Sequence, residues 1–365
     1  NRPIGLFTYL LLLNIGLAWV GVRRRWTVLT GVSLVFTAIY QWAWIAKFLT
    51  VSQLPLAAAI FVVFALGAAV SLWLGRRSDE KQSGFDAIAV AGAVLPLAFA
   101  AYMSAVAEYG SHYNILFGFL LLICGGLATI AFTRGPAWLH ALGASTTLLV
   151  FAIWRGTSFS TAAWPAVLGW TSAFFALYLV VGARWRTIAV YAAPVLLFLF
   201  PTFVLGGAYA AKPGLLFTVL FVLLAAAAAY AIAFEEGLVY YIGTFAALAA
   251  EAFWSNDYLS KERLIPALAL YGVFALFYLG VPLIAQRLKR KLEPQGAFTV
   301  LVLLSIGMLF FLDGGRVADA SLWGLTLLLA VLNAGALLQA HKVRFPILSV
   351  LAAILSWLVI AVWWS

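Results

Sequence analysis

The chain has 365 residues, of which 65% are apolar and 9% charged, with a net charge of +10 and a mean hydropathy of +1.07. A soluble domain carries about 25% charged residues, so this composition excludes a soluble globular protein, a disordered chain and a nucleic-acid binder. A single cysteine, Cys124, excludes an internal disulfide, and His112, His140 and His341 are not at metal-ligand spacing, so neither a metal nor a cofactor is expected.

A bilayer core of about 30 Å takes about 20 apolar residues per helix. In chain order, apolar runs bounded by charge, Gly, Pro or Trp predict fourteen spans. The first eight are Ile4–Val22, Trp26–Phe48, Leu54–Leu74, Phe85–Ala107, Asn114–Phe132, Ala137–Trp154, Trp164–Val181 and Thr187–Leu205. The remaining six are Leu215–Phe234, Gly237–Phe253, Leu264–Gln286, Gly296–Leu312, Ser321–Ala340 and Phe345–Trp363. Runs apolar on every face, such as Leu215–Ala229, exclude the alternating pattern of a membrane barrel. The prediction is an all-α, polytopic integral membrane bundle occupying 1–365 as one membrane domain. Its tight packing is expected to rely on small residues such as Gly118, Gly125, Gly126 and Ala225–Ala229. The chain begins at Asn1 rather than Met and shows no cleavable signal, so a fragment of a longer protein is expected.

Basic residues test this map. With fourteen spans, fifteen of the 22 Lys and Arg fall in odd-numbered loops, including Arg23–Arg25, Arg76, Arg77, Lys81 and the run Arg287 to Lys291. The positive-inside rule then makes odd loops cytoplasmic and puts both ends of the chain outside. A basic inner face also suits anionic headgroups. Trp26, Trp138, Trp154, Trp164, Trp185 and Trp254 fall near span ends, where indoles anchor at headgroup level.

The first hairpin, 4–45, resembles the last, 323–364, at a shift of 319. Leu13-Asn14-Ile15-Gly16 meets Leu332-Asn333-Ala334-Gly335, and Arg23-Arg24-Arg25-Trp26 meets Lys342-Val343-Arg344-Phe345. Both place an amide in mid-helix, where it needs a partner helix or a lined cavity.

Several stretches resemble a known family: Tyr9-Leu10-Leu11-Leu12-Leu13-Asn14 with the basic turn Arg23-Arg24-Arg25-Trp26, Leu139-His140-Ala141-Leu142-Gly143-Ala144, and Trp164-Pro165-Ala166-Val167-Leu168-Gly169-Trp170. Together they resemble the bacterial predicted-membrane-protein family numbered 2339 among the domains of unknown function. The resemblance implies a many-helix protein of the bacterial cytoplasmic (inner) membrane, often with a polar or coiled N-terminal region. It implies no activity and no catalytic residue.

Two groups of residues are candidates for chemistry. On the expected outer face, one loop carries Glu108 and His112, a second Glu251 and Asp257, and a third Asp313 and Arg316. Brought together, such groups bind a cation, a sugar or a lipid-linked headgroup, or do acid–base work. Within the membrane, Asn14 and Asn333 are candidate midplane amides, and Pro194 and Pro201 predict a broken helix of the kind that marks transporter sites. No Asp, Glu, Lys or Arg lies near the centre of a predicted span, which argues against an ion-coupled carrier. No phosphate-binding glycine loop, zinc-protease histidine pair or nucleophile elbow is present. The leading expectation is a transporter-like or carrier-like protein handling an envelope solute or lipid, with the lipid bilayer as its partner. A membrane-embedded enzyme acting on a lipid-linked substrate at the outer leaflet, and a structural or assembly subunit with no site, remain open beside it.

Overall fold

A computed structural model describes residues 3–24, 26–75, 83–133, 137–205, 213–310, 322–343 and 347–364. Among these residues the chain is all helix, with no strand. The elements are α1 (Pro3–Arg24), α2 (Thr27–Phe48), α3 (Leu54–Gly75), α4 (Ser83–Ala105), α5 (Ala107–Gly110), α6 (Tyr113–Thr133), α7 (Trp138–Thr157) and α8 (Trp164–Trp185). They continue with α9 (Ala192–Leu196), α10 (Leu199–Val204), α11 (Gly214–Phe234), α12 (Gly237–Tyr258), α13 (Leu264–Arg287), α14 (Gln295–Gly307), α15 (Leu322–Val343) and α16 (Ile347–Trp364).

Eight helices among the described residues are long and apolar enough to cross a membrane: Pro3–Gly21, Val28–Phe48, Val51–Ala68, Tyr113–Thr133, Trp164–Trp185, Gly214–Phe234, Gly237–Tyr258 and Lys261–Arg287. The chain is an all-helical, multi-pass integral membrane protein by this measure. The expected span 187–205 is broken into a 3-10 turn at Ile188–Tyr191 followed by α9 and α10, because Pro194 and Pro201 each lack a backbone donor. Helix α12 runs five residues beyond its expected end at Phe253, and α14 is only 13 residues long.

The chain divides into two compact units. The first comprises Asn1–Trp170 with Arg184–Ala189. Its core is aromatic: Phe61 stacks on Phe99 at 4.4 Å and Phe117 on Phe151 at 4.3 Å between ring centroids. Trp154 is completely buried and its indole N–H donates to the Gly110 carbonyl at 2.9 Å, tying α7 to the end of α5. This corrects one expectation. Trp154, Trp164 and Trp254 are core residues, whereas Trp26, Trp138 and Trp185 are exposed as interfacial anchors should be. Proximity to a span end is shared by both roles, and only packing separates them.

The second unit comprises Thr171–Ala183 with Val190–Ser365. Helix α12 is its centre, packed by α9, α10, α11, α13 and α14. The turn from α11 into α12 is tight. Glu235 adopts a left-handed conformation (φ 60°) that stops α11, and its carboxylate pairs with Arg290 at 3.0 Å. Tyr191 donates to Glu236 Oε2 at 2.8 Å. Gly237 lies against the backbone of Leu292 and Glu293, with no room for a Cβ.

The expected role of small residues holds only in part. Ala227 and Ala228 are buried within the second unit, and a Cβ on Gly118 would rest on Trp170 at 3.5 Å. Gly125 and Gly126 face open space, with nothing within 4 Å of a built Cβ.

Two pairs of substitutions test this packing by thermal unfolding in detergent. Gly237→Ala forces a methyl into main chain that cannot rotate away, an overpacking cost of about 1–3 kcal/mol. Gly280→Ala in α13, where nothing lies within 4 Å, stabilises by roughly 0.5–1 kcal/mol. Trp154→Ala costs about 3–5 kcal/mol, whereas Trp138→Ala, at an exposed site, leaves the midpoint nearly unchanged.

Candidate functional site

The expected outer-face residues are divided between the two units, Glu108 and His112 in the first and Glu251 and Asp257 in the second. Glu108 and His112 share the short α5 turn in the first unit, and both are exposed. His112 Nδ1 lies 3.3 Å from the Glu108 carbonyl oxygen and 3.1 Å from Ser111 Oγ, contacts local to that turn. Beside them the Tyr109 hydroxyl donates to the Leu49 carbonyl at 3.2 Å, and burial, with Tyr102 and Glu108 nearby, raises its pKa above that of a free phenol. Asp257 is exposed at the end of α12 and accepts a hydrogen bond from Asn256 Nδ2 at 2.8 Å. Asp313 and Arg316 lie outside the described residues.

Glu251 departs most from expectation. With α12 reaching Tyr258, it lies seven residues inside the helix rather than near its end, and it is only 2% exposed. At 1.5 Å per residue that is a depth of about 10 Å. Tyr278 of α13 donates to Glu251 Oε1 at 2.6 Å. One turn nearer the helix end, Ser255 Oγ donates to the Glu251 carbonyl at 2.6 Å and also hydrogen-bonds the Tyr271 hydroxyl. On the other side, Tyr240 donates to the Tyr278 carbonyl at 3.2 Å. A small cavity of about 10 Å³ adjoins the carboxyl, lined by Tyr271, Tyr278 and Ser305 together with Met308 and Leu309 just beyond α14 and leucines of α15. The sequence marks Glu251 as a candidate but not its tyrosine partners, whose spacing of seven residues on α13 is the signal that places both on one face.

The midplane amides are satisfied within their hairpins. Asn14 Nδ2 donates to Thr37 Oγ1 at 2.7 Å, its oxygen accepts from Ser33, and the pair borders a cavity of about 50 Å³. Asn333 Nδ2 donates to Ser356 Oγ at 2.7 Å and to the Leu329 carbonyl at 2.8 Å. Pro194 and Pro201 are both buried, in short helices that pack on α12.

One cavity was not anticipated. In the first unit, α3, α4, α6 and α7 enclose a cavity of about 680 Å³. Val62, Ala65, Gly92, Pro96, Gly125 and Gly126 form much of its wall, and Leu66 and Leu122, both more than half exposed, stand where it opens outward. Among the described residues its one hydroxyl, on Thr129, donates to its own helix at the Gly125 carbonyl, 2.9 Å away. The wall formed by these residues is therefore predominantly apolar. The sequence signal was the pair Gly125-Gly126 together with Gly92, readable equally as close helix packing.

Removing the donor to a buried carboxyl costs about 1–3 kcal/mol. Tyr278→Phe is therefore expected to lower the unfolding midpoint, while Tyr9→Phe, at a lipid-exposed position, leaves it in place. No family model, no curated protein and no solved structure matches this chain.

Proposed function

We propose that this protein is a carrier-like membrane protein that takes up an acyl chain of a membrane lipid in the cavity between α3, α4, α6 and α7. The observation that carries this reading is the cavity: about 680 Å³, lined predominantly by apolar residues among those described, with Gly125 and Gly126 facing its open space. Ligand sites typically span about 300–1,000 Å³. A polar solute would leave its own hydrogen-bonding groups unmatched by this wall, at about 1–3 kcal/mol each. An acyl chain has none to match. Lipid tails are as apolar as leucine, so transfer out of bilayer is not itself a driving force, and selection rests on shape and close contact.

The wider reading places fourteen crossings on the chain. Beyond the eight long apolar helices, α4, α7, the broken 188–204 segment and α14 to α16 would supply the rest. The residues quoted above support membership of the family of unknown function numbered 2339, and with it a place in the bacterial inner membrane. The basic residues of the odd loops support a cytoplasmic position for those loops, near anionic lipid. The hairpin repeat is supported by its hydrogen bonds: the shift of 319 that carries Asn14 to Asn333 also carries Thr37 to Ser356, and each hydroxyl donates back to the carbonyl four residues earlier, at 2.8 and 2.7 Å.

Filling the cavity tests the proposal. The Gly125→Leu/Gly126→Leu variant should purify with at least severalfold less bound lipid than the parent chain, measured by mass spectrometry of the extracted protein. Gly280→Leu, also facing open space, should retain the parental amount. Equal lipid in all three proteins would reject the cavity as the site.

A further inference from the structure

The buried carboxyl in the second unit is a separate matter from the acyl-chain cavity, and nothing in that reading uses it. We propose that Glu251 is a proton-exchange site within the membrane: its carboxyl takes up and releases a proton, with Tyr278 as its hydrogen-bond donor and the Ser255–Tyr271 hydroxyl pair as the link toward the α12–α13 turn.

Three observations carry this. First, Glu251 has no cationic neighbour among the described residues. Its cavity is lined by Tyr271 and Tyr278 from α13, Ser305 from α14 and leucines from α15, with no Lys, Arg, His or second acid among the described residues. Helices α9, α10 and α11, which also pack in this unit, bring no charged residue, and the one tyrosine of α11, Tyr230, packs against Phe234. No ion pair among the described residues thus accounts for an acid at this depth. Ionisable residues inside membrane helices are costly and mark proton or ion pathways.

Second, the polar groups form a descending series. Asp257 is exposed at the end of α12; Ser255 and Tyr271 follow, hydrogen-bonded to each other; Glu251 and Tyr278 lie below them. Side chains on antiparallel α12 and α13 lean toward their own N-termini, so Glu251 reaches inward while Tyr271 and Tyr278 reach back toward the turn. That geometry places hydroxyl groups on the route between the carboxyl and the exposed helix end.

Third, the adjoining space is small. About 10 Å³ is at the lower limit for a single water. A metal cation would bring several oxygens around itself, whereas the one anionic group here already accepts the Tyr278 hydroxyl proton. A proton needs no cavity.

The test uses the full chain reconstituted in phospholipid vesicles and the apolar reagent dicyclohexylcarbodiimide. A protonated carboxyl in an apolar site adds to it: the acid proton passes to a carbodiimide nitrogen, a carboxyl oxygen bonds the central carbon, and the acyl group then migrates to nitrogen as a stable adduct. Peptide mass mapping across a pH series is expected to place one adduct on Glu251. Its rate should fall about tenfold per pH unit above the titration midpoint. Tyr278→Phe should move that midpoint while keeping the adduct, which a merely structural tyrosine would not do. Glu251→Gln should abolish the adduct; the parent's mapped position keeps the test decisive if this variant fails to fold. Absence of an adduct on Glu251 would overturn the proposal. So would labelling independent of pH, which would mean an acid that never releases its proton. Protection by sodium chloride at constant pH, without protection by choline chloride, would overturn it in favour of a metal cation.

Discussion

The constraint on which this structure depends is that the hydrocarbon core offers no water to a polar group. Every backbone N–H and C=O must be met within the protein, and a helix meets its own. The hydroxyl side chains obey the same rule by the shortest route. Thr37, Thr129, Thr133, Ser145, Thr147, Ser305 and Ser356 each donate to the carbonyl four residues earlier in their own helix. A hydroxyl proton handled in this way stays within its helix, while the oxygen can still accept, as Thr37 does from Asn14 and Ser356 from Asn333. The informative groups are those that reach across: Asn14 to Thr37, Asn333 to Ser356, Trp154 to Gly110 and Tyr278 to Glu251.

These cross-helix contacts differ in consequence. An amide meeting a hydroxyl within a hairpin is a neutral pair, and interhelical bonds of this sort contribute about 1 kcal/mol. It holds two neighbouring helices in register and asks nothing of solvent. Trp154 similarly combines a large apolar surface with one satisfied donor. Glu251 is of another kind, because its partner changes meaning with its charge. The Tyr278 hydroxyl donates to a carboxylate or to the carbonyl oxygen of a carboxylic acid, so the same geometry serves both states. The amide pairs have no second state to serve.

The helices were legible because apolar runs of membrane length leave no other option for the backbone. Their ends were less so. Phe253 reads as an end since Trp254, Ser255, Asn256 and Asp257 are polar or interfacial by type, yet α12 continues through them to Tyr258. This five-residue difference moved Glu251 from rim to interior and made the tyrosines of α13 its neighbours. The tryptophans were ambiguous for a related reason: an indole at a span end satisfies its N–H either at the headgroups or, as Trp154 does, on a carbonyl at the end of the short helix α5. Gly125-Gly126 were ambiguous in the opposite direction, since a missing side chain permits either contact or a void, and only the neighbouring helices decide which. Asp313 and Arg316 fall outside the described residues, so the third outer-face loop stays a reading of sequence alone.

The two loci differ in chemical character. The cavity of the first unit is roomy and predominantly apolar among the described residues; the Glu251 cluster of the second has polarity and almost no space. A predominantly apolar wall offers little to a lipid headgroup, so under the acyl-chain proposal selectivity there rests on chain length and branching. A carboxyl without a cationic partner cannot be justified by the stability of an ion pair, because breaking even or worse is the common outcome for buried charge. Replacing Glu251 by an apolar residue would spare the protein that cost, and α12 already carries alanines at positions 246, 247 and 250 on its buried surface. An acid held at that depth, bonded to a tyrosine from the next helix, with the Ser255–Tyr271 hydroxyl pair one turn nearer the helix end, suits the proposed group that must sometimes carry charge better than it suits a packing residue.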